Sequence, residues 1–170
     1  MPAGELYIKH HSGMTGIVNA ARFSYSNGTF TQSNSGQWID TFIQWGVSLS
    51  ETALSALMAP APNKAPIENK SRREHGKSVL TESTLVKKDE RELSLEMHIT
   101  ANSINNFWSK YDHFCDNVLD YGFLELINGH RPTKVFRLTY ENCTQFSEFM
   151  EHMAKFSLRV NEPNPKDRAI

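Results

Sequence analysis

Seven histidines, two cysteines and two short carboxylate runs are the residues of this chain whose chemistry could serve a reaction or a metal ion. His10 and His11 are adjacent, so regular backbone points them to different faces, and a shared metal would need a turn between them. His98 falls on the polar side of an alternating run, and His113 lies away from Phe107 and Tyr111 on a helical one. His75, His130 and His152 sit in loops or at element ends. None has a second ligand at helical or strand spacing, so all seven are read as solvated and no metal site is expected. Glu92 and Glu96, with Ser94 between them, line one strand face, a spacing open to acid–base work, as is the Asp89-Glu90 pair. Any half-exposed strand displays such a face, and neither a G-x-S-x-G elbow nor a glycine-rich phosphate loop accompanies it. A protein without catalytic, cofactor-binding or metal-binding residues is expected.

Cys115 and Cys143 form neither a C-x-x-C pattern nor a disulfide framework. Cys115 belongs to an apolar helical stripe as a small core residue, Cys143 lies near the end of a predicted strand, and a reducing compartment argues against their pairing. The mixed-charge segment Glu68, Lys70, Arg72, Arg73, Glu74, His75 and Lys77 could meet phosphate. It is short, contains its own acids and lacks the interleaved aromatics of a single-strand binder, so a solvated or partner-facing loop is the better reading.

A chain of 170 residues has room for one domain with a real core, and 11% aromatic residues suit a packed interior. The net charge of −1 argues against non-specific nucleic-acid binding. No run of about 18 apolar residues exists, so no membrane span is expected. Met1 to Lys9 lacks the basic start and apolar middle of a secretory signal, and a soluble protein made in a cytoplasm is expected.

The elements that would position these groups are clearest from Lys88 to Pro165. Leu93, Leu95, Met97 and Ile99 alternate with Glu92, Ser94, Glu96 and His98, the pattern of a half-buried strand. Ile104, Phe107, Trp108, Tyr111, Phe114, Cys115, Val118 and Leu119 then recur at helical spacing, with Asn102 or Ser103 as N-cap and Gly122 beyond the end. Strands are predicted over Phe123–Ile127, Phe136–Tyr140 and Phe156–Val160, the first two joined by a hairpin-type link through Asn128-Gly129 and Pro132. Pro163 and Pro165 end the last one.

Upstream, Leu6–Ile8 is a short apolar stub, Ile17–Phe23 is a candidate for another, and Asn27-Gly28 between Tyr25 and Phe30 marks either a hairpin or a flexible polar loop. Trp38–Val47 is aromatic and β-prone, predicting one or two strands. Ser50–Met58 predicts a short helix stopped by Pro60, and an extended, irregular segment through Pro62 and Pro66 leads into an exposed arm or hairpin over Glu68–Lys77. The fold class that follows is α+β, mainly β: an antiparallel β-sandwich or split barrel with one packed amphipathic helix at about 103–120.

Several segments resemble small tail proteins of phages and prophages of Bacteroides-type bacteria. They are Ile39–Leu49, Leu54–Met58, Pro60-Ala61-Pro62, Glu68–Arg72, Glu74–Lys77 and Asp89–Leu95, then the helix with Phe107, Tyr111 and Phe114, Val135–Tyr140, Ala154–Leu158 and Asn161–Pro165. The order of strand, helix, hairpin and returning strand is similar to the amino-terminal domain of distal tail proteins and to the tail-tube fold. The resemblance implies a tail-tube/distal-tail-like domain at 39–170, with 1–38 as an extension or inserted polar loop or hairpin. It implies a homo-oligomeric ring, commonly hexameric, in a virion tail assembled in the bacterial cytoplasm. Such a ring binds other tail proteins (tube and hub) and makes no sequence-specific contact with DNA that passes through it. Its most fitting place is the distal ring between tube and baseplate hub; a tube, terminator or other connector protein would need the same sheet. Glu68, Lys70, Arg72, Arg73, Glu74, His75 and Lys77 would then be inter-subunit contacts. A reading of another class is a small glycan-binding module, with Trp38 and Trp45 exposed for stacking on sugars and Trp108 in the core.

Overall fold

A computed structural model describes residues 3–66, 68–73, 75–79, 82 and 86–170, with backbone alone at 148–150. In chain order the elements are β1 (Leu6–Lys9), β2 (Arg22–Ser26), β3 (Thr29–Gln32), β4 (Trp38–Asp40), α1 (Thr41–Trp45), β5 (Val47–Leu49) and α2 (Glu51–Met58). There follow β6 (Glu68–Asn69), β7 (Ser78–Val79), β8 (Arg91–Thr100), α3 (Ile104–Phe114), β9 (Phe123–Asn128), β10 (Phe136–Met150) and β11 (Met153–Glu162). Nine strands form one curled antiparallel sheet in the order β3-β2-β4-β1-β9-β10-β11-β8-β5, and β6–β7 stand apart as a two-stranded ribbon. The mainly β, antiparallel architecture expected from the alternating runs is what forms.

The alternation decides which face is buried. Leu93, Leu95, Met97 and Ile99 of β8, Phe156, Leu158 and Val160 of β11, and Phe136 and Leu138 of β10 all point inward. Phe107, Phe114 and Val118 from α3 and the turn after it lie over them. At about 2–3 kcal/mol for each large apolar side chain removed from water, this one layer carries most of the stabilisation. Segment 1–38 supplies β1, β2, β3 and the start of β4 to the same sheet, with β1 hydrogen-bonded between β4 and β9. Leu6 and Ile8 join the main core, while Tyr7 faces the other way into a second cluster with Trp38, Ile127 and Val135. The β2–β3 hairpin lays Phe30 against Tyr7 with ring centres 3.8 Å apart. Asn27 and Gly28 both adopt positive φ at its turn, as a two-residue hairpin requires.

Two parts of the sequence reading are sharpened. Trp38–Val47, expected to give one or two strands, holds two short ones, β4 and the start of β5, with α1 set between them. The Asp40 carboxylate accepts from the backbone N–H groups of Phe42 and Ile43 at 3.0 and 3.2 Å, opening the turn. Gly46 closes it at φ +70°, where a Cβ would meet Thr100 O at 2.1 Å. The second is a correction to the helical stripe. Ser103 is the N-cap and Gly122 takes its left-handed place, but Ile104 and Trp108 are exposed rather than core. They lie on the flank of α3 beside the far end of β10, where Phe146 is the sheet residue stacked near Trp108.

The C-terminal end of α2 is held by Arg91, which donates to the carbonyls of Ala56, Leu57 and Ala59 at 2.7–3.2 Å. Its Nε donates to buried Glu162 at 2.8 Å, and Nη2 lies 2.7 Å from the same oxygen. Arg168 donates to both oxygens of Glu162. Burial pulls the Arg91 guanidinium below its ordinary range, and Glu162 opposes this. Glu162→Gln is therefore expected to lose about 3 kcal/mol in urea unfolding, because it strands a buried cation. Arg159→Gln, which breaks exposed pairs with Glu92 and Glu141, is expected to lose under about 1 kcal/mol. Equal losses would refute this account of the cluster.

Candidate assembly surfaces

The segment singled out for contacts folds as the β6–β7 ribbon, with Glu68 opposite Val79 and Asn69 opposite Ser78. Glu68, Lys70, Arg72, Arg73, His75 and Lys77 are exposed, and Glu74 lies outside the described residues. Lys77 pairs with Glu68 across the ribbon, and Ser71 Oγ accepts from Arg73 N. At its base Lys64 N donates to Lys87 O and Asp89 N to Pro62 O, while Lys88 Nζ donates to Asn63 Oδ1. This clasp fixes where the arm leaves the body. Lys70, Arg72 and Arg73 make no ion pair among the described residues.

The sheet leaves pairing sites open. Among the described residues β3 pairs only with β2, and β5 only with β8. β10 pairs with β9 over Phe136–Thr139 and with β11 along nearly its whole length, so residues 141–147 have a partner strand on one side alone. Free edges in monomers are commonly guarded by lysine, proline or an inward charge. Thr29-Phe30-Thr31-Gln32 and Asn142-Cys143-Thr144-Gln145-Phe146-Ser147 hold none of these.

The candidates for chemistry are otherwise occupied. Glu92 binds Arg159 at 2.6 Å and Glu96 lies 3.9 Å from Lys155, so the two carboxylates serve cross-strand ion pairs. Glu90 accepts from Asn161, and Asp89 from Glu90 N. Among the described residues no three His, Cys, Asp or Glu side chains cluster as a metal site would require, and no helix is long and apolar enough to cross a membrane.

Two of the histidines read as solvated are instead structural. His113 Nδ1 accepts from Trp45 Nε1 at 2.7 Å while Nε2 donates to Thr15 O at 2.7 Å, which fixes the neutral Nε2–H tautomer. His11 Nε2 donates to Asn117 O at 2.8 Å, its Nδ1 accepts from Gly13 N, and its ring stacks on Tyr121. Asn117 was not foreseen. The helix widens to a π turn over Cys115–Leu119, turning Asn117 inward, where Oδ1 accepts from Thr15 N and Nδ2 donates to His113 O. No spacing signal marks it; a polar residue between Cys115 and Val118 reads as surface.

The tryptophans exchange their expected places. Trp38 and Trp45 are 5% and 0% exposed and unavailable to a sugar, whereas Trp108 is 39% exposed. Cys115 is half-buried and Cys143 exposed; both are free thiols. Burial pushes the Cys115 thiol up, Asp112, Asp120 and Asp116 add to this, and the Tyr111 hydrogen bond opposes it. Burial also raises the Tyr111 hydroxyl, with Cys115 adding to the shift.

No family model and no curated protein matches this chain. One solved structure with a similar backbone is the SPP1 Dit (gp 19.1) protein, described as a paradigm of the hub adsorption apparatus in Gram-positive infecting phages. The likeness covers 64% of this chain and 42% of that one, with a TM-score of 0.48 and 10% sequence identity. The present chain thus matches less than half the length of that protein.

His113→Ala is expected to cost about 1–3 kcal/mol in chemical unfolding, since buried Trp45 loses its acceptor. His98→Ala, whose ring makes no hydrogen bond among the described residues, should stay within about 0.5 kcal/mol. With a disulfide reagent in excess, Cys143 is expected to react at once and Cys115 only slowly. Two fast thiols would contradict the burial of Cys115.

Proposed function

We propose that this protein is a non-enzymatic, ring-forming structural subunit of a bacteriophage tail, and within the tail the distal ring that joins the tube to the baseplate hub. The observation that carries the ring is the pair of unguarded strand margins, β3 and the 141–147 length of β10, on one chain. Two different open edges on one molecule make a head-to-tail contact, and a head-to-tail contact that closes gives a ring. The tail assignment rests on the sequence resemblance, which runs from Ile39 to Arg168. The arm carrying Glu68, Lys70, Arg72, Arg73, Glu74, His75 and Lys77 is proposed as a contact reaching across to the next subunit.

Size-exclusion chromatography with light scattering tests this. The purified chain is expected to give a closed species near six times the chain mass of 19.4 kDa. Thr31→Lys or Gln145→Lys, each placing a charge on an open margin, is expected to shift the population toward monomer and leave the thermal midpoint of the monomer unchanged. A chain that stays monomeric at high concentration would overturn the proposal.

A further inference from the structure

The exposed face of α3 has no partner within the chain. Ile104, Trp108 and Asp112 follow one another at four-residue spacing, and Asp116 extends the line into the π turn. Ile104 and Trp108 are exposed beside exposed Phe146 of β10, making an apolar patch at the N-terminal half of the helix. Asp112, Asp116 and Asp120 are exposed and make no ion pair among the described residues. The nearest basic groups of the helix, Lys110 and His113, lie on its other flank, and His113 is engaged with Trp45 and Thr15. One helix face thus presents an apolar half and an uncompensated acidic half.

The chain also carries the complement. Lys70, Arg72 and Arg73 are exposed and basic and make no ion pair among the described residues, at the outer part of an arm clasped to the body at Asn63–Lys88. Nine residues separate Asn63 from Arg72, an extended reach of up to about 30 Å. Among the described residues the ribbon makes no substantial contact with α3.

Resting on the ring reading above, we infer that the β6–β7 arm of one copy docks on the exposed α3 face of the next copy, setting Lys70, Arg72 and Arg73 against Asp112 and Asp116. The carboxylates supply the charge and direction of the contact. Trp108, Ile104 and Phe146 supply apolar area, which the arm shields from water. Arginine suits this place, since its planar fork can bind a carboxylate through two hydrogen bonds and stack on an exposed indole. Opposite charges across an interface set partner choice and register more than total affinity, so the contact would decide which way successive subunits face.

The test is a charge exchange carried out in trans. One chain carries Arg72→Glu and Arg73→Glu, the other Asp112→Lys and Asp116→Lys, and light scattering follows the assembly of each alone and of an equal mixture. Each variant alone sets like charges together at every contact and is expected to assemble at least tenfold more weakly than the unmodified chain. In the mixture, alternating copies pair Glu with Lys and Arg with Asp, and assembly is expected to return to within about threefold of the unmodified level. Recovery in the mixture also shows that both variants fold. Variants that assemble like the unmodified chain, or a mixture no better than its components, overturn this contact while leaving the ring intact. An unmodified chain that never assembles overturns both.

Discussion

The buried carboxylate of Glu162 is the point on which the architecture turns. It ends β11, receives Arg91 from the start of β8, and receives Arg168 from the tail beyond two prolines. Through Arg91 it also holds the last carbonyls of α2, a helix that Pro60 stops and whose carbonyls need donors at that end. Phe136 of β10 sits under the same group, with the Arg168 and Arg91 guanidinium carbons 5.0 and 6.0 Å from its ring centre. Three strands, a helix and the C-terminal segment thus meet on one anion. Such an arrangement adds little net stability over an apolar core, because three charges leave water to make it. What it supplies is register: a slip of one residue in β8 against β11 would carry Arg91 to the solvent face and leave Glu162 buried alone.

With one end of the sheet locked in this way, the rest can be read as degrees of closure. β1 is covered on both faces, by the main core through Leu6 and Ile8 and by the Tyr7–Trp38 cluster on the other side. β3 and β5 form the two ends of the sheet, with Phe30 packed on the second cluster and Val47 in the main core, while β10 beyond Tyr140 pairs with β11 alone among the described residues. Near the turn of the β10–β11 hairpin, Phe156 packs on Phe114 and Tyr111, and Phe146 opposite it lies against Tyr111 and Trp108. Trp108 and Phe146 form the rim of this contact and stay partly in water.

How far the sequence anticipates this depends on whether local and tertiary forces agree. In β8 the alternation from Leu93 to Ile99 is both the local signal and the tertiary outcome, and Ser50, Ser103 and Gly122 take the capping places their types favour. Trp38–Val47 shows the opposite case. Its aromatic and β-branched residues prefer strand, but Asp40 and Gly46 bracket five residues as N-cap and left-handed C-cap, and two caps outweigh a weak propensity. The stripe on α3 is a third kind. Helical spacing shows that Ile104 and Trp108 share a side with Tyr111, yet how far the sheet beneath extends depends on the length of a hairpin encoded forty residues away. Asn117 and the π turn leave no local trace at all, because the loop at 11–15 that Asn117 and its carbonyl hold is distant in sequence.

The polar side of the sheet explains why adhesion would be confined to its margins. Across β8, β11 and β10, Glu92 meets Arg159, Arg159 meets Glu141, and Lys155 approaches Glu96. Farther along, Arg137 and Lys9 both hold Glu125. Each pair is exposed enough to add little stability. Together they leave that face charged, mutually compensated and hydrated, and two such faces brought together would have to shed water around every pair without gaining a new partner. The margins at Thr29–Gln32 and Asn142–Ser147 hold no charged side chain, and their free N–H and C=O groups would gain a partner directly if another strand arrived. In the ring proposed above, this layer would disfavour stacking face to face and leave edge-to-edge pairing as the contact between copies.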